Sequence, residues 1–224
     1  MKPKTQDNLQ KAYELIFAGE FYQAIKLLEE NSKENPQNIL PKLEIANLYY
    51  ILGEMTKCID IYKEFYEKNP KNVFILYRMG VAQYRSTHFT DAVTTFNKII
   101  ESGKHLPMTY FWLGLAYYQL GRKDLSVECY EKLLELCPET TMANYYLGIS
   151  LKASGKYDEA LKFFQNLIND NPEHISAHYH LAKLYMKTNK YDAARKEFIE
   201  VAKYDPKNKT VLKMLKYITD DQDI

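Results

Sequence analysis

The chain has 224 residues, 46% of them hydrophobic and 26% charged, which is apolar material enough for an ordered fold and too much for a disordered one. Lys and Arg number 30 against 29 Asp and Glu, a net charge of +1, so the molecule as a whole makes no electrostatic case for DNA, RNA or an anionic membrane. No window nears 18 consecutive apolar residues and no apolar signal-peptide core follows the N-terminal lysines; a cytoplasmic protein without membrane insertion is expected.

Along the chain one spacing recurs. Pro36, Pro70, Pro138, Pro172 and Pro206 lie 34 residues or twice 34 apart. They divide the sequence into six units, 5–38, 39–72, 73–106, 107–140, 141–174 and 175–208, an array filling 1–208. Where a proline is missing, at Lys104, Gly103 offers a left-handed helix stop and Pro107 opens the next helix. The eighth position of each unit is Ala12, Ala46, Gly80, Gly114, Gly148 or Ala182, and the twentieth is Ala24, Cys58, Ala92, Ser126, Ala160 or Ala194. All are small, as two helices of a hairpin require where they cross closely. Gly19, Gly53, Gly121 and Gly155, with Thr87 and Asn189, fall at the turns. Thr87 is the residue least suited to a left-handed turn, and its turn is expected to be the least regular.

Both ends read as closed. Asn8 and Lys11 give the first unit a polar outward face, while Val211, Leu212, Leu215 and Ile218 predict a capping helix over 209–219. The acidic stretch 220–224 is expected to be disordered.

Within 107–140 the order is a large aromatic Tyr110, Leu113-Gly114, Tyr117, the Gly121 break, small Ser126, aromatic Tyr130 and Pro138. That order resembles the 34-residue pattern of the tetratricopeptide repeat family. The resemblance implies an all-α fold, a right-handed superhelical solenoid of six helix-turn-helix units with a C-terminal solvating helix. It also implies a concave wall lined by positions 2, 5, 6, 9, 12 and 13 of each unit's first helix.

Those positions hold twelve aromatics among 36 residues, where a composition of 14% gives about five. Over units three to six the candidate peptide-binding groove comprises Phe74, Tyr77, Arg78, Tyr84, Arg85, Phe111, Trp112, Tyr118, Tyr145, Tyr146, Lys152, Tyr179, His180, Lys183 and Lys187. Tyr77, Tyr84, Tyr118, Tyr145 and Tyr179 stand where the family uses tyrosine structurally. Trp112, Tyr146, His180 and Lys183 depart from its usual choices and are the sharper binding candidates, since large apolar surface on a concave wall marks a binding site. Arg78, Arg85, Lys152, Lys183 and Lys187 oppose one acid, Glu44, so the wall carries +4 and should prefer a segment of acidic character. The Lys and Asn pattern with which some family members hold the acidic tail of large chaperones is missing: the frame starting in the first unit reads Leu9, Tyr13, Glu44, Phe74 and Arg78, one match.

The sequence has no Gly-rich phosphate loop, no Gly-x-Ser-x-Gly, no His-Glu-x-x-His and no Cys-x-x-Cys, and its five histidines do not converge at metal spacing. Cys58, Cys129 and Cys137 are odd in number, and the last two lie eight apart, too far along one helix to bridge. The expectation is a non-enzymatic adaptor without cofactor or metal, binding an extended or helical segment of another protein, as a monomer or weak self-associate. One alternative is a self-assembling, coat-type protein acting through its convex face and ends. Single-stranded RNA binding is the other.

Overall fold

The structure, a computed structural model, describes residues 4–104 and 106–220. Among these there are thirteen helices and no strand. They follow one another as hairpins: α1 (Lys4–Phe17) and α2 (Phe21–Glu34), α3 (Leu40–Leu52) and α4 (Met55–Lys68), α5 (Val73–Arg85) and α6 (Phe89–Glu101). Then come α7 (Pro107–Gln119) and α8 (Lys123–Leu136), α9 (Thr141–Ala153) and α10 (Tyr157–Asp170), α11 (Ile175–Lys187) and α12 (Tyr191–Tyr204), and finally α13 (Lys209–Asp220). The chain divides into two compact units, Met1–Trp112 and Leu113–Ile224, the division falling inside α7.

Several helices start or stop for a visible local reason. At three junctions the side chain two residues after the proline satisfies open N–H groups of the next helix: Asn72 Oδ1 accepts from Phe74 and Ile75, Asn208 Oδ1 from Val211, and His174 Nδ1 from Ala177, whereas Thr140 makes no such bond. At the hairpin turns the chain enters the left-handed region, with φ of 76° at Gly121. The Gly121 N–H donates to the Tyr118 carbonyl and the next N–H, of Arg122, to that of Tyr117, the paired bonds of a Schellman stop. Thr87 does the same, with φ of 63° and bonds from Thr87 to Tyr84 and from His88 to Gln83. Contrary to the expectation from its β-branched side chain, its turn has the hydrogen bonds of the glycine turns. Two good hydrogen bonds outweigh the roughly 1–2 kcal/mol that a non-glycine residue loses there.

The hairpins close on rings. A Cβ built on Gly80 would come within 2.6 Å of the Phe96 ring, on Gly114 within 2.8 Å of Tyr130, and on Gly148 within 3.0 Å of Phe164. Phe96, Tyr130 and Phe164 are fully buried, so a flat side chain of the second helix lies directly on the backbone of the first. The first unit buries Ala12, Ala24, Leu28 and Leu48 together, and the second buries Ala182, Ala194, Phe198 and Val201. Onto that last cluster α13 sets Val211 and Ile218, with Met214 and Leu215 beside them. Leu212, placed on the inward stripe from sequence, is 47% exposed. The stripe runs through 211, 214, 215 and 218, and Leu212 lies about 100° round the helix from Val211. Residues 221–224 of the acidic stretch lie outside the described residues.

Candidate functional site

In the first unit the site grows from α5. Phe74, Tyr77, Arg78, Val81, Tyr84 and Arg85 recur at three and four residues and therefore share one face. Beside it is a cleft of about 370 Å³ lined by Tyr50, Tyr62, Phe74, Tyr77, Arg78 and Val81. A second, of about 250 Å³, is bounded by Phe74, Tyr77, Leu106, Pro107 and Met108. Phe74, 66% exposed, lines both, as does Tyr77. It belongs to a series: Leu40, Phe74 and Met108 are exposed on the first turns of α3, α5 and α7.

The two arginines of this face are held in place. The Arg78 guanidinium donates to Asn47 Oδ1, which also accepts from the Tyr62 hydroxyl at 3.4 Å. Arg85 lies over the Tyr50 ring, its Cζ 4.4 Å from the ring centre, a cation-on-ring contact worth about 0.5–1 kcal/mol at an exposed place. Burial raises the Tyr62 phenol, and the Arg78 hydrogen bond partly offsets it. Trp112 donates its indole N–H to the Tyr77 oxygen at 2.9 Å and meets Tyr84 edge-on at 5.4 Å, so it is a half-buried brace of the wall. Phe111, counted with the groove from sequence, is 5% exposed; its ring lies edge-on against Trp112, and it faces the packed side of α7.

In the second unit α9 and α11 carry the remaining candidates. Tyr145 meets His180 through its hydroxyl at 3.2 Å from Nε2, and Lys152 Nζ is 2.8 Å from His180 Nδ1. Phe164 stacks on the same imidazole at 5.2 Å. Tyr146 stacks on Tyr130 at 5.9 Å, and Lys183 sits 5.7 Å from the centre of the Tyr179 ring. Tyr118 is covered by Lys123, 3.6 Å above its ring, and Lys187 is exposed on the last turn of α11. Burial first, then the charges of Lys152, Lys183 and His174, push the His180 imidazole down to about 4. Burial, then Lys183, hold the Lys152 amine at about 8. His178, two residues from His180, is buried on the opposite side, between Glu197 Oε2 at 2.6 Å and the Pro172 carbonyl at 2.9 Å.

The sequence-based groove lacks Tyr50, Tyr62, Val81, Leu106, Pro107 and Met108, which line the clefts. Tyr62 comes from the second helix of its hairpin, α4, and so lies outside the first-helix positions. The three cysteines are free. Burial raises the Cys58 thiol to about 11 and that of Cys129 to about 12, so neither is an activated nucleophile. Among the described residues no three His, Cys, Asp or Glu side chains gather as a metal site, and no helix is long and apolar enough to cross a membrane.

Successive helix hairpins with ring-lined, hydrogen-bonding faces define a helical-repeat scaffold for protein–protein interaction. Three models of the tetratricopeptide repeat family match residues 75–102, 107–140 and 151–216, together more than half of the chain, and the chain belongs to that family. Among solved structures, a tetratricopeptide repeat protein from Parabacteroides merdae is 17% identical, covering 96% of this chain and 98% of its own with a TM-score of 0.72. YrrB, described as a TPR protein with an unusual peptide-binding site, is 21% identical over 84% of this chain and 97% of its own, TM-score 0.71. MamA from Desulfovibrio magneticus RS-1 is 20% identical over 75% and 95%, TM-score 0.70. At these identities the likeness concerns the fold. No curated protein matches the chain.

Proposed function

We propose that this chain is a non-enzymatic adaptor that binds an extended or helical segment of another protein, acidic in character, on the aromatic and mildly basic faces of its first helices. In this reading the array consists of six units divided at 38, 72, 106, 140 and 174, with residues 209–219 as the cap. The observation that carries the proposal is the pair of clefts that share Phe74 and Tyr77 in their linings. A large exposed ring shared by two concave, mainly apolar spaces suits the anchoring side chains of a peptide. Arg78 and Arg85, held by Asn47 and Tyr50, supply fixed positive charge at its edge, which favours acidic neighbours of those anchors.

Panning a random peptide library against the whole chain tests this. Enriched sequences should combine large apolar residues with Asp or Glu, and Phe74→Ala with Arg78→Glu should abolish their binding while helical content is kept. Enrichment indifferent to both substitutions would move the function to another surface, and concentration-dependent mass without peptide binding would favour self-assembly.

A further inference from the structure

In the second unit Lys152, His180 and Lys183 form a cluster of unusual balance. A lysine ammonium has three N–H donors and no acceptor, and one of the three goes to His180 Nδ1 at 2.8 Å. Since the ammonium can only donate, Nδ1 is the unprotonated nitrogen. The ring hydrogen is therefore on Nε2, facing the Tyr145 oxygen at 3.2 Å. Phe164, stacked at 5.2 Å, and Tyr179, edge-on at 5.8 Å, hold the imidazole in that orientation. The imidazole thus aims the ammonium without neutralising it.

Lys183, three residues further along α11 and so on the same side of the helix as His180, adds a second positive charge that acts on both Lys152 and His180. Among the described residues no carboxylate pairs with either lysine. Elsewhere the protein does pair its lysines, as Lys42 with Glu64 at 2.8 Å and Lys203 with Glu200 at 2.7 Å. A partly desolvated cation beside a like charge, with no counter-ion, is unfavourable in the free protein and is relieved when an anion arrives.

We propose that Lys152 and Lys183 form a carboxylate subsite, which takes the side chain of one Asp or Glu of a bound protein segment. Its oxygens accept from the remaining N–H groups of Lys152 and from Lys183, and the rings of Tyr145 and Tyr179 offer apolar cover to its methylene stem. This rests on the peptide-binding reading and sharpens it from general acidity to one acid at one place. Lysines act on an anion as point charges without the planar fork of arginine, which suits a single carboxylate on a flexible stem.

The test uses the full chain and the ring nitrogens of His180, whose NMR signals report on what Lys152 is bound to. The probe is an acetylated, amidated tetraglutamate peptide, with tetraglutamine and inorganic phosphate as the other arms. Tetraglutamate should shift the His180 signals saturably, and Lys152→Met or the exposed Lys183→Met should weaken it by roughly tenfold or more. An equal effect of tetraglutamine, or unchanged affinity in both variants, overturns the proposal. Phosphate binding more tightly than tetraglutamate would assign the subsite to a free anion and overturn the peptide source. Failure of the peptide reading would instead appear as panned peptides indifferent to Phe74, a result that does not involve the His180 signals.

Discussion

The indole N–H of Trp112 donates to the phenol oxygen of Tyr77 at 2.9 Å, joining two first helices across 35 residues of sequence. Tyr77→Phe removes the acceptor and leaves a half-buried donor unpaired, so stability should fall by about 1–2 kcal/mol. Trp112 is the only tryptophan, and its emission during denaturant unfolding checks this directly, with a shifted folded-state maximum also expected.

Gly80→Ala places a methyl carbon 2.6 Å from the buried Phe96 ring. The ring must move or the helices must part, and the variant should lose about 1–3 kcal/mol. Gly53→Ala serves as a comparison, because nothing lies within 4 Å of its Cβ but its φ of 81° is left-handed; its loss should come from backbone strain alone, about 1–2 kcal/mol. Urea midpoints of the two variants give the comparison.

Thr87→Asn should stabilise the protein by about 0.5–1 kcal/mol, since asparagine tolerates the left-handed region without glycine's flexibility. Asn189 already occupies that conformation in the α11–α12 turn, with φ of 57°. Thermal unfolding of the variant measures the gain; a lower midpoint would mean that the Thr87 side chain stabilises the turn.

Stability should depend on pH through two groups of the second unit. The Lys152 amine is lowered from 10.5 to about 8, by burial and then Lys183. Between those values the unfolded chain binds more protons, so this contribution to stability rises from about pH 8 to about 10.5. His180 is lowered from 6.5 to about 4, and its contribution is lost as pH falls through that interval. Melting temperatures across pH should show the alkaline rise in the wild type and not in Lys152→Met.

Alkylation should discriminate among the thiols. Cys137, half-buried after the last turn of α8, should react first, and Cys58 and Cys129 only on unfolding. Mass spectrometry of a timed iodoacetamide reaction reads the order.

The helical repeat is legible in the sequence because its determinants are local. A proline, a capping Asn and a left-handed Gly each act within a few residues, as at Pro70, Asn72 and Gly53, and the small eighth and twentieth positions state the hairpin crossing. The site is only partly legible. That Phe74, Tyr77 and Arg78 share a face follows from helical spacing, but the anchoring of Arg78 by Asn47 joins side chains 31 residues apart. Trp112 stands out as an unusual residue, yet its hydrogen bond to Tyr77 depends on how two helices lie side by side. Leu212 and Phe111 were misplaced for one reason: a hydrophobic side chain next to the buried stripe is chemically indistinguishable from one on it, and only rotation about the helix separates them.

The exposed series Leu40, Phe74 and Met108 repeats one kind of surface at one interval. In the proposed reading, a partner segment laid across these first turns would meet a large apolar side chain whether correctly seated or displaced by a whole hairpin, so the series by itself would give adhesion without an address. The address has to come from what occurs once. In this unit the proposed marks are the two fixed guanidinium groups, Arg78 on Asn47 and Arg85 over Tyr50, against which an otherwise repetitive surface would be read in one frame.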